Sequence, residues 1–106
     1  MIIKGSVPGS LKLQFKVLCT QKDLHMSEVL ERLISQWIQA DTPIVNFVTD
    51  LAEEDYEEVK GYIPSDLKIQ FKVLCTQKKI KMRFVLYNLI YEWVRTGGAF
   101  SEENLS

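Results

Sequence analysis

The sequence predicts a mainly α-helical fold in which a two-stranded antiparallel β-ribbon lies over four helices, built as a pseudo-dimer within one chain. Three observations predict it. Residues 4–40 align without a gap on residues 60–96 at a constant offset of 56, with 20 identities in 37 positions. Each copy reads as an extended segment, a proline and two helical stretches. A unit of about 40 residues is marginal alone, so the pair is the stable object. Two copies are also too few for a solenoid, which needs at least three. The chain divides into a first repeat at 1–40, an acidic linker at 41–59, a second repeat at 60–96 and a polar tail at 97–106.

The first element is a strand from Ile2 to Val7, with its twin from Val59 to Ile63. Pro8 and Pro64 end these strands, because proline fixes φ and removes a ladder donor. Alternation puts Ile3, Gly5 and Val7 on one face and Ile2, Lys4 and Ser6 on the other. In the second copy Val59, Gly61 and Ile63 oppose Glu58, Lys60 and Tyr62. The lysine-bearing face is the outward one. A lone strand leaves its edge groups unpaired, and the strand of the other copy is the nearest partner.

The next element in each copy is a helix with Leu11, Phe15, Leu18 and Cys19 at helical spacing, repeated as Leu67, Phe71, Leu74 and Cys75. A break follows at Asp23-Leu24-His25 and at Lys79-Ile80-Lys81. The second helix carries Met26, Val29, Leu30, Leu33, Ile34, Trp37 and Ile38, and its twin Met82, Val85, Leu86, Leu89, Ile90, Trp93 and Val94. That i, i+3, i+4, i+7 stripe is a strong amphipathic signal. In the linker, Thr42-Pro43 reads as a helix start, with Ile44, Val45, Phe47, Val48 and Leu51 apolar enough to dock on the core. Nineteen linker residues reach about 60 Å when extended, which allows pairing within one chain or between chains.

Composition narrows the function. The chain is 46% hydrophobic and 25% charged, the balance of a globular protein. No run approaches the ~20 apolar residues of a membrane span, and Met1 to Gly5 lacks a signal-peptide layout, so a cytoplasmic protein is expected. Cys19 and Cys75 are too few for a disulfide framework or a zinc cage, and read as small core residues. Trp37 and Trp93 read as core anchors, and Met26 and Met82 as core filling. There is no nucleophile–base pair, metal cluster or glycine-rich phosphate loop, so neither an enzyme nor a cofactor is expected.

Strand, proline, a helix with Leu-x3-Phe-Lys-x2-Cys, a short turn and then Met-Ser-Glu-Val-Leu-x2-Leu-Ile-x2-Trp resemble the ribbon-helix-helix DNA-binding superfamily of MetJ, Arc and CopG. The resemblance covers both repeats, 37 residues in each. It implies that the ribbon enters the major groove of double-stranded DNA, outward strand residues reading base edges. It also implies that the start of the second helix holds a phosphate. Carried over, the readers are Lys4 and Ser6 with Ile2 at the margin, and Lys60 and Tyr62 with Glu58 at the margin. The phosphate sites are His25, Met26 and Ser27 in the first copy, and Lys79, Lys81, Met82 and Arg83 in the second. Two departures stand out. Asp23 and Lys79 replace the glycine usual in the inter-helix turn, and Gly5 and Gly61 stand where the family places an aliphatic residue. Close packing of an aromatic, Phe15 or Phe71, is one reading of those glycines.

Net charge is −1, which does not announce a nucleic-acid binder. The segments differ sharply: residues 1–40 carry +2, 41–59 carry −7, 60–96 carry +6 and the tail −2. The two repeats together are +8, and the local field is what steers a polyanion. Lys78, Lys79, Lys81 and Arg83 crowd one helix start, so the second copy is expected to dominate phosphate binding. The bland readings are a solvated turn for that cluster and solubilising edge charges for Lys4 and Lys60. The expected function is a nucleoid-associated, sequence-specific DNA-binding protein, a prokaryotic transcriptional repressor or plasmid or phage maintenance regulator. Higher oligomers on DNA are compatible with it. The alternative is a protein-interaction module, antitoxin-like or a scaffold, on the same fold.

Overall fold

The computed structural model describes residues 1–40 and 55–99. It is mainly helical, with one two-stranded antiparallel sheet. The order is β1 (Ile2–Pro8), α1 (Gly9–Gln21), α2 (Met26–Gln39), β2 (Tyr56–Tyr62), α3 (Ser65–Gln77) and α4 (Met82–Arg95). The helix expected at Thr42-Pro43 and the tail from residue 100 lie outside the described residues.

β1 and β2 pair within the one chain, with Lys4 opposite Lys60, Ile2 opposite Tyr62 and Ser6 opposite Glu58. Lys4 and Lys60 are equivalent positions of the two copies, so the register is symmetric about that rung. Ile3, Gly5, Val7, Val59 and Gly61 face inward and are buried, as the alternation requires. β2 begins at Tyr56, three residues before the expected start, because Pro8 and Val7 find partners in Tyr56 and Glu57. The end of the acidic stretch is therefore strand. Pro8 likewise belongs to β1, at its last position, where its missing N–H breaks no later rung.

The inter-helix turns, where Asp23 and Lys79 replace the glycine, keep a regular helix ending. Asp23 and Lys79 adopt φ of 56° and 57°, the left-handed region. Leu24 N–H donates to the Cys19 carbonyl at 2.8 Å and Asp23 N–H to Thr20 at 3.1 Å. Ile80 N–H donates to Cys75 at 2.9 Å and Lys79 N–H to Thr76 at 3.1 Å. This is the paired hydrogen-bond pattern that terminates a helix after a left-handed residue. Asp tolerates that region better than Lys does, so the second turn is the more strained.

Neither copy has a core of its own. Phe15 of α1 packs edge-on against Trp93 of α4, with centroids 5.6 Å apart and planes at 82°. Trp37 of α2 meets Phe71 of α3 in the same way, at 5.5 Å and 87°. All four rings are buried. Such pairs add about 0.5–1.5 kcal/mol beyond the area they bury. The strands are crossed over in the same sense: Gly5 of the first copy lies on Leu86 of the second, and Gly61 lies on Leu30 and Ser27 of the first. The strand glycines thus admit a second-helix leucine, not Phe15 or Phe71. A Cβ on Gly61 would stand 2.9 Å from Leu30 Cδ1 and 3.1 Å from Ser27 Cα. Exchange of contacts between copies explains why duplication accompanies a unit of this size.

Candidate nucleic-acid interface

The outer face of the ribbon holds six side chains in three rungs: Ile2 with Tyr62, Lys4 with Lys60, and Ser6 with Glu58. All but Ser6 are exposed, and Tyr62 is 68% accessible. Met1 and Ile63 exchange backbone hydrogen bonds at 2.8 and 2.9 Å. Pairs alternate along an antiparallel ladder, so the Lys4–Lys60 rung is of the non-hydrogen-bonded kind, whose side chains stand closest. Like charges directly opposite each other destabilise a ribbon. An anion received between them relieves that repulsion.

A groove flanks the ribbon on each side, and the two are lined by equivalent positions. One, of about 420 Å³, is lined by Lys4, Lys72, Thr76, Ile80, Lys81, Met82 and Arg83, with Cys75 at its floor. The other, of about 370 Å³, is lined by Lys60, Lys16, Thr20, Leu24, His25, Met26 and Ser27, with Cys19 in place of Cys75. Each groove takes its strand lysine from one copy and its helices from the other. The fold therefore gathers Lys4 with Lys81, Met82 and Arg83, and Lys60 with His25, Met26 and Ser27. Lys79 is exposed in the turn and does not line the groove.

Lys16 and Lys72 are groove residues that the chain pattern did not single out. Their signal was a lysine directly after the core phenylalanine in both copies. The hydroxyls of Thr20 and Thr76 donate back to the Lys16 and Lys72 carbonyls at 3.0 and 2.8 Å, so they are already engaged. Ser27 Oγ accepts the Tyr62 backbone N–H at 2.9 Å, tying β2 to the start of α2. Burial pushes both groove-floor thiols, Cys19 and Cys75, up to about 11, which keeps them protonated and unreactive at neutral pH.

Glu57 and Glu58 of β2 place two acidic residues at one end of the ribbon. Glu58 stands opposite Ser6, and Glu57 pairs with Lys12 at 3.8 Å. Arg83 lies over the Phe84 ring, 5.3 Å from its centroid, beside the Lys4 groove. No family model matches the chain, and neither does any curated protein or solved structure. Among the described residues, no helix is long and apolar enough to cross a membrane.

Proposed function

We propose that the chain is a ribbon-helix-helix pseudo-dimer that binds double-stranded DNA with sequence preference, as a repressor or a plasmid or phage maintenance regulator. The observation that carries the reading is the central pair of facing lysines, flanked on both sides by cationic grooves at second-helix starts. A ribbon of this width fits the major groove, and cations on either side of it meet the two phosphate backbones. Lys4 and Lys60 suit the O6 and N7 acceptors of guanine. Ser6 donates or accepts, Tyr62 offers a phenol with an apolar ring, Ile2 offers an apolar contact for the thymine methyl, and Glu58 suits the N4 amino group of cytosine.

Titration against random and enriched duplexes at two salt concentrations tests the reading. Binding that falls steeply with salt, and an enriched duplex that outcompetes random DNA, are the expected results. No salt-dependent binding to any duplex would overturn it. One observation favours the protein-interaction alternative: Leu13 and Val17 on α1, and Ile69 and Val73 on α3, are exposed at equivalent positions. A protein partner captured through those helices with no DNA affinity would select that reading.

A further inference from the structure

Between the C-terminal halves of α2 and α4 lies a cavity of about 290 Å³, at the ends of these helices remote from the ribbon. Its walls come from both copies at equivalent positions: Leu33 with Leu89, Trp37 with Trp93, and Gln36 with Glu92. The cavity therefore lies across the pseudo-twofold axis. Asn88 breaks that symmetry, because it lines the cavity while Arg32, its equivalent in the first copy, does not. Asn88 is only 7% exposed, and it is the one buried polar residue among the described residues. No hydrogen bond from a described residue reaches its side chain. A buried amide without a partner destabilises a fold, whereas a leucine of similar size at that position would not. Asn88 is thus a poor core residue that faces a cavity.

We infer that this cavity binds a small, flat, uncharged heteroaromatic compound of the aminopurine type, which presents a hydrogen-bond donor beside an acceptor to Asn88. Size sets the first limit: a cavity of about 150 Å³ holds one benzene ring, so about twice that volume holds a fused bicycle. Leucine and tryptophan walls with one convergent amide are the composition of a small-molecule site. Charge sets the second limit. No lysine, arginine or histidine lines the cavity, and the carbonyl ends of two helices meet there, which disfavours an anion. The Glu92 carboxylate is already matched by Arg95 at 2.7 Å, so a neutral ligand leaves no charge unbalanced. Polarity sets the third. The Thr96 hydroxyl is committed to the Glu92 and Trp93 carbonyls at 3.1 Å, which leaves the Asn88 amide to orient the ring. A carboxamide offers one donor and one acceptor side by side, and the edge of an aminopurine matches both. The inference does not depend on the DNA-binding reading.

Adenine serves as the probe, with purine, which lacks the exocyclic amino group, as its control. The two tryptophans of the chain are both walls of the cavity, so all of its tryptophan fluorescence reports on the site. Titration of the full chain with adenine should change that emission saturably and shift the side-chain amide signals of Asn88. Purine should bind the wild type about tenfold more weakly, for want of the paired hydrogen bonds. Asn88→Leu, checked by thermal melting, should bind adenine and purine alike. Were that variant not to fold, the wild-type preference and the Asn88 signals decide alone. No saturable response up to the solubility limit of adenine would overturn the inference. Equal affinity of the wild type for adenine and purine would overturn it too, as would unmoved Asn88 signals or a preference for adenine that survives in Asn88→Leu.

Discussion

Gly61→Ala and Gly5→Ala make the same chemical change at equivalent positions, and the structure separates their outcomes. Replacing glycine by alanine in extended backbone stabilises by about 0.4–1 kcal/mol, through the unfolded chain, when the new methyl group fits. At Gly5 the methyl carbon would meet Leu86 Cδ1 at 3.3 Å and Cβ at 3.4 Å, side-chain atoms that can yield by tenths of an ångström. At Gly61 it would meet Leu30 Cδ1 at 2.9 Å and also Ser27 Cα and Oγ, each at 3.1 Å. The backbone of α2 cannot yield without moving the helix, and the Ser27–Tyr62 hydrogen bond would be stretched with it. Overpacking of this kind costs about 1–3 kcal/mol, which exceeds the chain-entropy gain. Gly61→Ala should therefore lose about 1–2 kcal/mol net, and Gly5→Ala should stay within about 0.5 kcal/mol of wild type. Urea unfolding followed by circular dichroism reads both, and in heat the first should melt about 4–8 °C lower per kcal/mol lost. A Gly61→Ala protein as stable as wild type would refute the close approach of ribbon and helix. So would a larger loss at Gly5.

Other consequences are open to direct measurement. Phe71→Ala should destabilise by about 3–5 kcal/mol and leave one cooperative transition, because its ring packs on Trp37 of the other copy; two separate transitions would show that the copies fold independently. Burial raises both thiols above their unfolded value of 9.0, to about 11, so the stability they contribute is complete below pH 9 and falls as pH rises toward 11. Alkaline unfolding titrations of wild type and of a Cys19→Ala, Cys75→Ala variant should differ by a constant offset below pH 9 and draw together only in that window. The unequal outward residues imply an imperfect palindrome, with matching guanines under Lys4 and Lys60 and divergent flanks. Tyr62→Ser should make the duplex enriched from a random pool more symmetric; a cleanly symmetric wild-type site would contradict the assignment of readers.

Much of this architecture is legible along the chain, for definite reasons. The second helices announce themselves because their apolar residues recur every three or four positions around two tryptophans, and most of those residues form the core, with Met26, Ile38, Met82, Leu89 and Val94 partly buried against it. The ribbon is legible because Lys4 and Lys60 recur at one parity of an alternating pattern. The start of β2 is not, because Tyr56-Glu57-Glu58 reads as solvated chain until Pro8 and Val7 supply a partner strand. The role of Gly5 and Gly61 is equally hidden, since it depends on which copy's leucine arrives beneath them. Lys16 and Lys72 are missed for the same reason. A lysine on a helix becomes a groove residue only when the strand of the other copy crosses above it. Lys79 is the opposite case: it belongs to the predicted cationic cluster, yet its left-handed backbone places it in the exposed turn and outside the groove.

The central claim is that the outward ribbon face reads base edges while the grooves hold the backbone. Lys4→Ala with Lys60→Ala tests it most directly, because it removes the facing charges and leaves the buried face of both strands untouched. Affinity for the enriched duplex and for random DNA should be measured at one fixed salt concentration, with thermal melting as a check on the fold. The account predicts a protein at least as stable as wild type, since like charges no longer oppose, whose preference for the enriched duplex collapses. A double variant that still selects the enriched duplex as well as wild type does would contradict it.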